Sequence, residues 1–330
     1  MDNTIIQQGK FTSDGNAKYI SLRSDVDWMM VYNYSNAAAT GNDSVRFTWQ
    51  RGMATGVGIR EFKSGGADAM NLGVLAAPDG FYYVDTSTAS ATRSPNLITD
   101  ITNAAPAVIS SVAHGLVTGD IFRLVSCTGA KQICGIDFSC TYVGANSFSP
   151  TYMPAIVAAA APGADAYVYK VSADHKYYPS NRYITNITQA DPGVVTLSVT
   201  HNFTVGQKVR FIVPAKTAAA FGMTQLDGKE ATVTAVSTAN NTISVNIDTS
   251  VYTAFAFPLT ADMPFTPAQV VPVGENTASA ITYGVDMLGD ATRNRAYIGM
   301  KLPGGDDAPG GANTDVMYWV AGKSFSNLVE

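Results

Sequence analysis

Ile98-Thr-Asp-Ile-Thr…Pro106…Ser111-Val-Ala-His114-Gly-Leu-Val-Thr-Gly119-Asp-Ile-Phe-Arg-Leu124 is followed later in the chain by Ile184-Thr-Asn-Ile-Thr…Pro192…Ser198-Val-Thr-His201-Asn-Phe-Thr-Val-Gly206-Gln-Lys-Val-Arg-Phe211. The offset is 86 positions from Ile98 to Ile184 and 87 from His114 to His201, which marks one supersecondary unit duplicated in tandem. The second halves also align: Gln132-Ile-Cys-Gly135-Ile-Asp137 with Gln225-Leu-Asp-Gly228-Lys-Glu230. Each copy then passes through an Asn turn, at Asn146 or Asn241, into a further alternating stretch. Short alternating runs between turn residues predict a small β-barrel or sandwich in each copy.

Outside the repeats, Lys18-Tyr-Ile-Ser-Leu, Trp28-Met-Met-Val-Tyr-Asn-Tyr, Val45-Arg-Phe-Thr-Trp and Phe81-Tyr-Tyr-Val alternate or run apolar. So do Ala280-Ile-Thr-Tyr-Gly-Val, Arg295-Ala-Tyr-Ile-Gly-Met-Lys-Leu and Val316-Met-Tyr-Trp-Val. No segment keeps an i, i+3, i+4 apolar stripe over three turns, so the chain is expected to be all-β. Neither flank has strands enough for a stable sandwich alone, but together they close one. The expected architecture is a discontinuous β-sandwich base domain, residues 1–97 and 258–330. Two tandem small β-barrel modules, 98–180 and 181–257, are inserted in it as an outward arm; beads in series are the alternative. Trp28, Trp49 and Trp319 all fall in the base.

The stretch Ser111-Val-Ala-His-Gly-Leu-Val-Thr-Gly-Asp120, with the apolar strand, Gly turn and Thr-x-Val that follow, resembles the barrel module known as the first catalytic cysteine half-domain of ubiquitin-activating enzymes. Such modules are frequent in tailed-phage structural proteins, and no ubiquitin-like chemistry is implied. The flanks Gly9-Lys-Phe-Thr-Ser-Asp-Gly15, Ser24-Asp-Val-Asp-Trp28-Met-Met-Val-Tyr-Asn33, Phe47-Thr-Trp49-Gln-Arg-Gly-Met53 and Asp315-Val-Met-Tyr-Trp319-Val-Ala-Gly-Lys-Ser-Phe325 resemble virion proteins of crAss-like and podovirus-type phages. This resemblance implies a virion part made in the bacterial host cytoplasm. Its expected partners are itself, as a homo-oligomer, and other virion proteins.

Composition narrows the function further. Only 14% of residues are charged, so small uncharged polar groups cover much of the surface, as suits a chain packed among neighbours. A net charge of −5 supplies no field for nucleic acid, and no direct nucleic-acid readout is expected. No run approaches the ~18 apolar residues of a membrane span, and the Ala-rich Ala155–Pro162 is too short. Met1-Asp-Asn-Thr-Ile-Ile-Gln-Gln has neither the basic segment nor the apolar run of a secretory signal, and none is expected.

Cys127, Cys134 and Cys140 fit neither a zinc ribbon nor a redox pair. The second copy has Pro214, Asp227 and Val233 in their places, so buried thiols are expected, with one disulfide as an alternative. His114 and His201 share one repeat position, before Gly115 and Asn202. Each is expected to bond local backbone in a tight turn, with the following residue left-handed. Gly119 and Gly206 fit turns before the strands carrying Arg123 and Arg210, read as surface or salt-bridge residues.

No nucleophile elbow, zinc-protease helix or Walker loop occurs, and Gly52-Met-Ala-Thr-Gly56-Val-Gly58 opens no visible helix. Asp25 with Asp27 and Asp306 with Asp307 are the closest acidic pairs, but each lies near a turn, where Asp bonds backbone. No catalytic, cofactor-binding or metal-binding residue is assigned. The function expected is a non-enzymatic virion component assembling as a symmetric oligomer, in a neck or tail ring or on the capsid. The alternative is a receptor- or carbohydrate-binding tail-fibre module, using Tyr82, Tyr83, Tyr177 and Tyr178. The loops at Ser64–Asp68, Ser87–Pro95 and Pro303–Ala312 are expected to be exposed and, in an assembly, to wrap a neighbour.

Overall fold

The computed structural model describes residues 3–41, 43–64, 67–85, 91–153, 162–171, 182–214, 221–258, 267–275 and 297–324. His175, Tyr177, Tyr178, most of the Ser87–Pro95 loop, nearly all of Ala155–Pro162 and the expected strand at Ala280 lie outside the described residues. The protein is all-β, with a sandwich assembled from the two flanks and two closed barrels between them.

The larger base sheet contains β1 (Asn3–Thr12), β3 (Trp28–Asn33), β4 (Ser44–Gln50), β5 (Gly58–Ser64), β6 (Ala67–Leu75) and β21 (Val316–Ser324), in the order β1-β21-β3-β4-β5-β6. A three-stranded sheet, β2 (Lys18–Arg23), β20 (Tyr297–Leu302) and β7 (Tyr82–Asp85), covers one face of it. Strand β21, from the far end of the chain, pairs with β1 and β3, so neither flank can complete the sheet alone. Alternation supplies the core: Met29, Val31, Phe47, Trp49, Met317 and Trp319 point inward and meet Ile20, Leu22, Ile298 and Met300. A five-residue helix, α1 (Tyr34–Ala38), follows β3 and is capped by Asn33, whose side chain accepts the Asn36 amide.

The first barrel comprises β8 (Ala91–Ile101), β9 (Ile109–Ser111), β10 (Ile121–Val125), β11 (Asp137–Gly144), β12 (Ser147–Pro150) and β13 (Tyr167–Val171). The second comprises β14 (Arg182–Ile187), β15 (Gly193–Leu197), β16 (Lys208–Ile212), β17 (Glu230–Ser237), β18 (Thr242–Val245) and β19 (Gln269–Pro272). Numbered within each barrel in chain order, both close in the cyclic order first, second, fifth, fourth, third, sixth. The strands of the barrels thus run from Ala91, inside the span expected for the base, to Pro272, beyond the expected limit at 257.

The second barrel is seated on the base rather than standing off it as a free arm. Thr12 donates its amide to Val205 O (3.1 Å), Asn202 Nδ2 donates to Tyr19 O (2.9 Å), and Glu275 accepts from Ser21 N and Gln207 Nε2. The two barrels are joined in turn: Ser139 N donates to Ser198 O (3.0 Å), and Ile121, Val171 and Val199 form a small apolar cluster. Phe257 packs against both barrel cores. No helix among the described residues is long and apolar enough to cross a membrane.

Candidate functional site

The outer face of the six-stranded sheet is the feature the fold leaves unpaired. Strand register lines up Lys10, Tyr318, Tyr32, Arg46, Glu61 and Leu72 in one row across all six strands. The neighbouring row on the same face is Gln8, Val320, Met30, Thr48, Ile59 and Val74. Beyond it on β6, Met70 extends the apolar side. Leu72 and Val74 are 74% and 76% exposed, far from the burial that large aliphatic side chains ordinarily reach. The opposite edge strand is partly covered: Thr12 is bonded to the second barrel, and Gly274 packs on the Gln8 carbonyl. Strand β6 has no such cover among the described residues, and an open apolar edge is a template for pairing.

Toward the centre of this face lies an open cleft of about 450 Å³, walled by Tyr32, Tyr34 and Tyr318 with Arg46 and Glu61 in its lining. Tyr34 stands edge-on to Tyr318, at 73° with ring centres 6.0 Å apart, so the two rings form a wall and a floor. Arg46 and Glu61 are ion-paired across β4 and β5. The bond to Glu61 holds the Arg46 guanidinium protonated, above its already high ordinary range. Arg46 Nε is buried and has no hydrogen-bond partner among the described residues. The Tyr32 hydroxyl reaches only the Met30 sulfur, a weak acceptor, at 3.5 Å.

The residues singled out by the sequence sit elsewhere, in structural roles. His114 Nδ1 accepts the Leu116 amide (3.1 Å) and Nε2 donates to Gly144 O (2.9 Å). His201 repeats this with the Phe203 amide (3.2 Å) and Thr242 O (3.3 Å). Gly115 has the expected positive φ of 70°, but Asn202 does not. Its carbonyl and side chain are instead engaged with the base, so the turn is shaped by docking. Burial, with Arg182 adding to it, pushes His201 down to about 4.

Gly119 and Gly206 both have positive φ, and their amides bond the equivalent carbonyls of Cys140 and Val233. Arg123 is buried and makes two bonds to Asp137 (2.7 and 3.0 Å), whereas Arg210 is exposed opposite Glu230. All three cysteines are free and buried. Cys134 Sγ accepts the Cys127 amide at 3.4 Å, and in the second copy Asp227 Oδ1 takes the Val213 amide at 2.9 Å. Burial pushes the Cys140 thiol up to about 12.

Asp25 pairs with Arg23 and Asp27 with Arg51. Asp307 is partly buried, which opposes ionisation, yet bonds from Ser44 and Arg60 hold its carboxyl below the usual range. Tyr83 stacks on Trp49, and Tyr82 lies beneath Lys301, so both are spent on their own domain. The Pro303–Ala312 loop was expected to be exposed, but Ala308, Pro309, Gly310 and Gly311 are buried. Gly310 N donates to Pro303 O, and Ser13 Oγ to Gly311 O, folding the loop back onto its own base.

Among the described residues no group of three or more His, Cys, Asp or Glu could hold a metal ion. The sequence reading passed over Tyr32, Tyr34, Tyr318, Arg46, Glu61 and the β6 stripe. The alternation of Met70, Leu72 and Val74 was the available signal, but alternation marks a shared face without saying whether that face is wet. The chain matches no protein-family model and no curated protein.

Proposed function

We propose that this protein is a non-enzymatic structural component of a bacteriophage virion that assembles as a symmetric oligomer of itself through the base domain. The observation that supports this most directly is the β6 edge, where Met70, Leu72 and Val74 form an exposed apolar stripe on an unpaired strand. A monomeric protein blunts such an edge with charge, proline or a covering segment. Two copies related by a two-fold axis would pair β6 with its counterpart and bury the stripes against each other. The resemblance of the repeats and flanks to tailed-phage virion proteins implies a neck or tail ring in the first place, and the capsid surface in the second.

Light scattering on the purified chain tests the reading. An oligomer is expected at about 100 µM, with an interface above about 1,000 Å². Leu72→Asp combined with Val74→Asp, at positions already in solvent, should give a folded monomer. A wild-type chain that stays monomeric at that concentration, and does not incorporate into particles, would contradict self-assembly.

A further inference from the structure

We propose that the tyrosine-walled cleft on the outer face of the base is a binding site for a neutral, β-linked pyranose saccharide. Its lining combines flat aromatic surface with hydrogen-bonding groups, as a sugar requires, since a pyranose presents apolar C–H faces and a rim of hydroxyls. Lys10 Nζ, 5.3 Å from the Tyr318 ring centre, closes one face of that ring. Stacking therefore falls to Tyr34, the most exposed of the three rings at 60%, with Tyr32 beside it. Arg46 Nε, buried and unpartnered, is a donor waiting for an acceptor oxygen. The Tyr32 hydroxyl, held only by a sulfur, is a second polar group available at the same wall.

Charge selects among ligands. Arg46 and Glu61 neutralise each other, so neither is free to hold an ion. Three tyrosines beside a glutamate would otherwise suit a quaternary ammonium, but the guanidinium in the wall and the Lys10 ammonium nearby oppose a cation. A β-linked gluco-configured chain keeps its hydroxyls equatorial and both ring faces flat, which fits an open cleft better than a deep socket. This site is separate from the Tyr82 and Tyr83 pair, which pack within the base.

The test uses the full chain with cellotriose and N,N′,N″-triacetylchitotriose, followed by saturation-transfer NMR and titration, with choline as a competitor. Saturation of axial ring protons is expected for at least one sugar. Affinity should fall about tenfold in Tyr34→Ala and in Arg46→Met, the effect of one aromatic or charged contact. Tyr34 is exposed, so its replacement leaves the fold intact and keeps the test valid if Arg46→Met unfolds. No saturation at about 10 mM of either sugar, equal binding in Tyr34→Ala, or displacement by choline would each overturn the proposal. If Tyr34→Ala instead changes the oligomeric state and sugar does not bind, the cleft belongs to the contact between copies; the sugar inference then fails while self-assembly stands.

Discussion

The ammonium group of Lys18, in the smaller sheet of the base, lies 2.6 Å from the carbonyl oxygen of Asn202 in the second barrel. The same ammonium donates to Gln207 Oε1 at 2.8 Å and stands 5.5 Å above the Phe11 ring, with the whole side chain buried. A buried ammonium is costly unless its protons are used, and here the partners come from the other module. Lys18 is therefore the point at which the base recognises the barrel turn that follows His201.

Lys18 makes the junction sensitive to alkali. Burial lowers it from 10.5 to about 8, against the opposing pull of Glu275 and Asp14. Between those two values the unfolded chain keeps a proton that the folded protein has released, so this group's contribution to stability rises with pH, by roughly 3 kcal/mol at most. Urea unfolding from pH 7.5 to 10 should show that rise in wild type and lose it in Lys18→Met. Replacement also leaves Asn202 O and Gln207 Oε1 without their donor, a cost of about 1–3 kcal/mol each that desolvation relief partly offsets. Identical pH slopes in the two proteins would remove Lys18 from this role.

His201 works at the acid end. Its folded value of about 4 lies below the ordinary 6.5, so as pH falls through that window the unfolded chain takes up a proton the folded barrel refuses. Stability contributed above 6.5 is lost on the way down to 4, up to roughly 3 kcal/mol. His201→Asn should flatten the fall in urea midpoint between pH 7 and 4.5. At neutral pH, His114→Ala and His201→Ala should each cost about 1 kcal/mol, the scale of a lost local hydrogen bond. Stoichiometric zinc in the purified protein, lost with either histidine, would refute the structural assignment.

The thiols should be inert. Cys140 is pushed up to about 12 by burial, and Cys127 is raised by its bond with Cys134 and by burial. A thiol-reactive dye should label less than one equivalent in the folded protein and three after denaturation. Val233 fills the Cys140 position in the second barrel, bonded to the same Gly turn, so Cys140→Val should change stability by less than about 1.5 kcal/mol. Rapid labelling of native protein would mean that the first barrel opens.

The barrels were legible because their turns repeat: the Gly119 and Gly206 amides, the imidazoles of His114 and His201, and the Gly135 and Gly228 amides that bond Leu124 and Phe211 all do the same work twice. Their limits were not. Strand β8 begins with Ala-Thr-Arg-Ser-Pro, which reads as a loop, yet Pro95 falls where its register with β13 is irregular, a place that tolerates proline. Closing strands β13 and β19 share no motif, Tyr-Val-Tyr-Lys-Val against Gln-Val-Val-Pro, because they are chosen by burial and pairing rather than by turn chemistry. The outer sheet face escaped for a related reason. Leu72 and Val74 have the pattern of a core strand, and only the register from Lys10 to Leu72 reveals that nothing covers them.

The base should fold with both barrels removed. Asp85, at the end of β7, is paired with Ile298 at the start of β20, so the two cut ends are neighbours in the smaller sheet. Joining residue 85 to residue 297 by a short Gly-Ser linker therefore closes a small loop, whose entropy cost grows only slowly with length. The retained strands keep the full core from Phe11 to Trp319, and Lys18, freed from Asn202, returns to water without a penalty. The lost contacts are the polar ones around Gln7, Lys18 and Ser21, which solvent replaces. A single cooperative melt with a β-type circular dichroism spectrum is expected. Loss of that transition, with the excised 91–272 segment still folding, would mean that the second barrel is required to hold the two flanks together.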